Sequence, residues 1–360
     1  MQKYRNRIIV GGLIALVIYV GLLLLLDNEG RFTQDVAAAL TSYPWIMLIP
    51  MALLQVIANF FRFLEWHYYL GVIDVRRKIS LADSAIIFVS GFTMTVSPGK
   101  AAELLKAVFL KMKTDVPIAR SAPIVVAERL VDGLAVNVIL TMTLIILGER
   151  LDLGSYYDLS RLIVFSSAGL LIFALIAVQI RPLANLCLNI IARLPLIRRA
   201  HNWFVHLYES SREIFQLRHI IPTTMMGVGV YFFTSLCFAL IVVLFGIEFT
   251  PTLFLQLLFI VGVSSAIGAL SFVPNGAGVT EITNAAMLLA IVAPANPAMT
   301  VGVASAAALL QGFFHKWFRV LVGVVVMVVF RNRLFSGDLE GEIASAERDL
   351  SAQKYSVERS

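Results

Sequence analysis

The sequence predicts an all-α polytopic membrane protein, with about six full transmembrane crossings and two re-entrant helical hairpins in an inverted repeat. Three observations predict it. The 360 residues are 59% hydrophobic and only 14% charged, against roughly 25% charged in a soluble domain. So few polar residues cannot coat one soluble core. Apolar runs near the ~20 residues of a membrane span recur along the chain, and basic residues gather on alternate loops. The same composition excludes a disordered chain and, with two cysteines, a disulfide scaffold. The alternating pattern of an outer-membrane barrel is absent.

The first run, residues 8–26, carries no charge and follows Lys3, Arg5 and Arg7. It exceeds the ~7–15 residues of a signal-peptide core, and no small-residue cleavage site precedes Asp27 and Glu29. It reads as an uncleaved first helix. Residues 44–64 form the second helix, with Tyr43 and Trp45 at one end and Trp66, Tyr68 and Tyr69 at the other, as in an interfacial aromatic belt. Residues 81–96 are short for a span and end in Ser97, Pro98, Gly99 and Lys100. An amphipathic stretch, 101–112, follows with Glu103 and Lys106. Pro and Gly break the helix, and the second piece is too charged to face lipid. The pair therefore reads as a re-entrant hairpin, entered through a capping box at Ser80 and Asp83.

Residues 121–147, 162–180 and 221–245 read as full spans. Residues 252–273 and 279–292, divided by Pro274, Asn275, Gly276, Ala277 and Gly278, repeat the hairpin pattern, and 298–330 closes the set. The organisation is a first membrane repeat at 1–160, a second at 161–330, and a polar tail at 331–360. Residues 181–220 form an amphipathic linker with Arg193, Arg198, Arg199, Arg212 and Arg218, suited either to an anionic leaflet or to solvent.

With both hairpins re-entrant, 20 of the 29 basic residues fall on one side and three, Arg31, Arg150 and Arg161, on the other. This asymmetry places both termini in the cytoplasm of a cell (cytoplasmic or inner) membrane. Each half reads helix, helix, hairpin, helix and crosses an odd number of times, so the second is inverted. The breaks at Pro98-Gly99 and Pro274-Asn275-Gly276 match, and a carboxylate follows each, Glu103 and Glu281. Interrupted helices at matching places in an inverted repeat point to a transport site.

Charges inside membrane runs are costly and usually functional. Arg62 and Glu65 could instead snorkel to the interface, as could Arg319. Glu128, Arg129 and Asp132 share a helix face. There a buried Arg129 guanidinium is expected to be answered by its two neighbours, as a structural cluster or as part of a site. Helices starting after Gly99 and near Gly278 would turn N-termini into the membrane, where free N–H groups favour an anion such as phosphate. Gly276 and Gly278 permit close approach. Lys100, Arg129 and Lys316 could add positive charge. Glu103 and Glu281 would then balance the lysines, bind an amine or carry protons, and are expected to be needed for transport rather than folding.

Ser97-Pro98-Gly99-Lys100-Ala101-Ala102-Glu103, Glu128-Arg129-x-x-Asp132 and Pro274-Asn275-Gly276-Ala277-Gly278-Val279-Thr280-Glu281, with Arg62 and Trp66 on the second helix, resemble motifs of a known family. It is the transmembrane flippase region of lysylphosphatidylglycerol synthase/flippase proteins and their stand-alone relatives. The resemblance spans about residues 8–330. Ala102 stands for a Gly, and Asn275 interrupts the usual Gly pair; both bear on how tightly a headgroup fits. About 30 polar residues follow the last helix, below a domain's usual ~50. The resemblance therefore implies lipid translocation without aminoacyl transfer.

The expected function is translocation of an anionic or phosphate-bearing lipid between leaflets, with no enzyme activity and no cofactor. The partner would be a membrane phospholipid or a polyprenyl-phosphate-type lipid, not nucleic acid, and homo-oligomerisation is left open. An intramembrane lipid-modifying enzyme and a small-solute or ion transporter are the alternatives. Metalloprotease and serine-hydrolase motifs and a phosphate-binding P-loop are absent.

Overall fold

The computed structural model describes residues 31–41, 43–94, 101–148, 156–180, 182, 213–271 and 273–334. The expected first helix, Pro98, Gly99 and Lys100, most of the linker and most of the tail lie outside the described residues. Every regular element among the described residues is helical. Lipid explains why: without water, backbone groups must be satisfied within the segment.

The helices are α1 (Arg31–Thr41), α2 (Leu48–Val72), α3 (Leu81–Ser90), α4 (Ala101–Thr114), α5 (Ile118–Leu147) and α6 (Tyr156–Gln179) in the first part of the chain. After the linker come α7 (Leu217–Leu244), α8 (Pro251–Leu270), α9 (Val279–Met287), α10 (Val301–Gly312), α11 (Arg319–Val329) and the short α12 (Arg331–Leu334). A π-helical turn, Phe313–Phe318, joins α10 to α11. Among the described residues, five helical stretches are long and apolar enough to cross a membrane: Trp45–Val72, Arg120–Leu147, Leu217–Leu244, Pro251–Leu270 and Val301–Val329. The Pro251–Leu270 stretch, expected as a hairpin arm, is thus long enough to cross. Segment 27–43, expected as a loop, holds α1, which packs on α10.

Helix starts are capped where the sequence supplies hydroxyls. Ser80 Oγ accepts from the Asp83 N–H at 3.0 Å, one half of the expected capping box, and donates to Asp83 Oδ2 at 2.7 Å through its hydroxyl. Thr250 caps α8 through the Leu253 N–H and Thr300 caps α10 through the Val303 N–H.

Two helices that the expected repeat would make equivalent, α2 and α7, pack along each other. α3 packs on α11, and α8 on α5. Glycines make both approaches close. A methyl at Gly323 would lie 2.8 Å from the Val89 carbonyl oxygen, and one at Gly262 would lie 2.9 Å from Leu140 Cδ2. Apolar side chains such as Leu53, Phe60, Ile145, Leu170 and Val325 face outward, as lipid contact requires.

The aromatic-belt reading is overturned for most of its members. Trp66, Tyr69 and Tyr43 are only 1%, 0% and 3% exposed. Tyr69 Oη reaches Thr223 Oγ1 at 3.0 Å, and Tyr43 Oη donates to Met51 Sδ at 3.7 Å, so protein rather than the interface answers these two hydroxyls. Trp45 is half exposed.

The close crossing yields a test. Gly323→Ala should lower stability by about 1–3 kcal/mol, because backbone cannot yield as a flexible side chain does. Gly169→Ala, with nothing near the added methyl, should be neutral or slightly stabilising. Thermal unfolding of the purified chain in detergent reads both; equal melting temperatures would mean that α3 and α11 do not approach so closely.

Candidate functional site

Each hairpin is tied by a buried lysine–carboxylate clamp to the long helix that follows it. In the first, Lys106 on α4 donates to Glu128 on α5 at 2.9 and 2.7 Å. Lys106 also lies 4.9 Å from the Trp66 ring and 5.6 Å from that of Phe88. In the second the signs are exchanged. Glu281 on α9 receives Lys316 at 3.0 and 3.1 Å. Lys316 donates also to the Gly276 carbonyl at 3.0 Å and to Thr280 Oγ1. Gly312 is required by this clamp, since a methyl there would collide with Glu281 Oε1.

Lys316 belongs to the π-helical turn. Such turns are rare and concentrate at functional sites. The helix start at α9 is not an open anion site, because Glu281 Oε2 accepts from the Gly278 N–H at 2.8 Å. The chain's own carboxylate answers the positive helix end, which corrects the expectation of free N–H groups there. Gly276 adopts φ +60° and packs on Gly268, so a backbone segment makes the close approach. Asn275, at φ +55°, takes the left-handed conformation that a Gly would take.

The second helix supplies the next group. Arg62 bonds Asp132 and lies 3.7 Å from Glu65, which is fully buried. Neither Arg62 nor Glu65 snorkels; both face the interior because Asp132 across α5 draws the guanidinium inward. Glu65 makes no hydrogen bond through either oxygen. Arg129 bonds Asp132 at 3.0 Å and is 48% exposed, so it is not the buried guanidinium expected. Glu128 turns to a different side of α5, to Lys106. Arg319 does not snorkel either: it donates to Asn275 Oδ1 at 3.0 Å and stands 5.7 Å from the Phe92 ring. Arg319 therefore touches both hairpins, Phe92 after α3 and Asn275 before α9.

Beside the second clamp is a small polar cavity of about 20 Å³, measured as the space open to the centre of a water molecule. Ser264, Thr280, Asn284, Gln311, His315 and Lys316 line it. Asn284 Oδ1 and Gln311 Oε1 have no protein partner, and the space suits a bridging water.

Of the residues singled out from sequence, the structure gathers Arg62, Arg129 and Asp132 into one cluster. It joins Glu281, Gly276, Gly278 and Lys316 into a second, which Pro274 and Asn275 flank. Glu128 belongs to the Lys106 clamp. Pro98, Gly99 and Lys100 lie outside the described residues; Glu103 lies on α4, its side chain outside them. Arg319 and Glu65 stand in the sequence among the charges of membrane runs, with snorkelling as the competing reading that the structure removes. For Glu65 the i,i+3 spacing to Arg62 was a further signal.

A helical chain with five potential spans, broken-helix hairpins and a charged interior is an integral membrane protein. Residues 9–323 match the family model described as the lysylphosphatidylglycerol synthase TM region, and the chain belongs to that family, which sets it in a membrane-lipid context. No curated protein and no solved structure matches the chain.

The clamps generate a prediction. Glu281→Gln should strand the Lys316 charge and lower stability by about 3–5 kcal/mol, so Glu281 carries folding as well as any transport role. The double variant Glu281→Gln, Lys316→Met should recover much of that loss. Unfolding measured on the single and double variants gives the coupling; additive losses would show that the clamp contributes little.

Proposed function

We propose that the protein is a lipid translocase, moving a phosphate-bearing lipid between leaflets without ATP hydrolysis in this chain. The observation that carries the reading is the junction where both hairpins meet guanidinium groups. Arg62 and Arg129 share Asp132, and Arg319 reaches Asn275 and Phe92. Such forks bind phosphate oxygens in pairs. Half-exposed Arg129 can meet a headgroup without first leaving a closed cavity.

The two-repeat organisation supports alternating access. Exchange of the halves maps α2 onto α7, the α3–α11 contact onto α8–α5, and the Lys106–Glu128 clamp onto Lys316–Glu281 with signs reversed. In this reading the hairpins enter from opposite sides of a cell membrane, both termini are cytoplasmic, and rocking one half against the other exposes the junction alternately.

The test is lipid movement in vesicles reconstituted with the full chain, read by a reducible fluorescent headgroup. Wild-type protein should speed transfer over protein-free vesicles. Arg129→Lys keeps a positive charge for Asp132 but loses the fork. It should fold normally and move lipid about tenfold more slowly, the factor for a loss of ~1.4 kcal/mol. No transfer by the wild type sinks the translocase reading; normal transfer by the folded Lys variant removes Arg129 from the site.

A further inference from the structure

Among the described residues Glu65 is the interior carboxylate that makes no hydrogen bond. Asp132 has Arg62 and Arg129, Glu128 has Lys106, and Glu281 has Lys316. Glu65 is 0% exposed, and neither of its oxygens meets a donor. The nearest cation, Arg62, stands 3.7 Å away and is already bonded to Asp132. A carboxylate taken from water with no donor in its place is costly, and such a group takes up a proton instead.

The groups around Glu65 narrow what it can bind. On its own helix are Arg62 and Tyr69, whose hydroxyl is turned to Thr223. Glu128, Arg129 and Asp132 of α5 are within electrostatic range. Lys106 of α4 is closed on Glu128, and Lys316 of the π turn, which packs on α2, is closed on Glu281. His315 of that turn, Arg319 of α11 and Tyr231 of α7 are within range of Arg62. Asp83 of α3 is bonded to Arg333. A metal cation at Glu65 would meet the Arg62 guanidinium and find the neighbouring carboxylates already bonded. A proton needs neither a cavity nor further ligands.

Arg62 stands between two carboxylates, Asp132 on α5 and Glu65 on α2. Asp132 keeps Arg129 at 3.0 Å when Arg62 leaves it. Glu65 depends on Arg62 for its charge, since both its oxygens are otherwise unbonded. Passage of Arg62 to Glu65 favours the ionised carboxylate: the carboxyl O–H bond breaks, and the proton goes to water on the side where Arg129 is 48% exposed. Return of Arg62 to Asp132 takes one proton back from water.

We propose that Glu65 is a proton-binding site that couples lipid movement to a proton gradient, one proton for each passage of Arg62 between Asp132 and Glu65. This rests on the lipid-translocase reading and names its energy source.

Two measurements on the full chain test it. The first is infrared spectroscopy of the purified protein in detergent near neutral pH, where the C=O stretch of a protonated carboxyl stands apart from the bands of ionised ones. The wild type should show that stretch, and Glu65→Gln should remove it. Gln has the shape of the protonated side chain, so the melting temperature should hold. No such band in the wild type, a band unchanged in Glu65→Gln, or a large fall in that variant's melting temperature means an ionised Glu65 and overturns the site.

The second uses vesicles carrying the full chain and a reducible fluorescent phospholipid, with the membrane potential clamped by potassium and an ionophore. At one proton per lipid, a gradient of about one pH unit should shift the probe's distribution between leaflets about tenfold, the factor for ~1.4 kcal/mol. Glu65→Gln should abolish the shift, and Glu65→Asp, which keeps a carboxyl, should restore it. An undiminished shift in folded Glu65→Gln overturns the coupling. If the wild type moves lipid and the distribution ignores the gradient, the coupling fails and the translocase reading stands. If no lipid moves while the carboxyl band belongs to Glu65, the proton site stands and the translocase reading fails.

Discussion

A charge inside a bilayer has no water to fall back on, and among the described residues Lys106, Lys316 and Arg62 are each held by a carboxylate on another segment, bonds that set the architecture. The break at Pro274–Gly276 interrupts the helix between α8 and α9. Broken backbone survives there only where protein covers it. The Lys106–Glu128 and Lys316–Glu281 clamps do this covering: each draws a hairpin's second arm onto the long helix that follows. Lys316 further satisfies the Gly276 carbonyl, one of the groups that the break at Pro274–Gly276 exposes. Ion pairing and backbone satisfaction are thus one feature.

The close helix crossings depend on the same geometry. With the second arms fixed by charge, the first arms α3 and α8 must lie against the opposite half, and glycines at 323 and 262 let them do so. Packing alone would not choose this arrangement, since lipid tails are as apolar as leucine and give helices little reason to associate. The directional contacts choose it, and dispersion at the crossings adds to it.

Most of the fold was legible in the sequence because hydropathy and breakers report the bilayer directly. Helix identities, the break at Pro274–Gly276 and the Ser80–Asp83 cap followed from one-dimensional signals. Partner choice did not. Glu128 and Arg129 are adjacent in sequence, yet a helix turns them about 100° apart. One therefore meets Lys106 and the other Asp132. Trp66 and Tyr69 looked interfacial because their position near a helix end is the sole cue a sequence offers; Thr223, far along the chain, holds Tyr69 inside. Arg319 looked like a snorkelling residue for the same reason. Asn275, an apparent departure from a glycine pair, keeps the glycine-like backbone while adding a side chain that reaches Arg319.

The π turn at Phe313–Phe318 has a consequence for how this chain can vary. A π turn holds one more residue than an α-helical turn of the same span. Excising a single residue there would restore a regular helix and leave everything beyond it close to its present phase. Arg319 would keep its direction toward Asn275 and Gly323 its place beside Val89. The change would fall within the turn itself, where Lys316 reaches Glu281 and the Gly276 carbonyl. A residue removed from the regular helix of α10 has no such compensation and would rotate everything beyond it by about 100°. The turn can thus absorb a change in length that the helices on either side of it cannot.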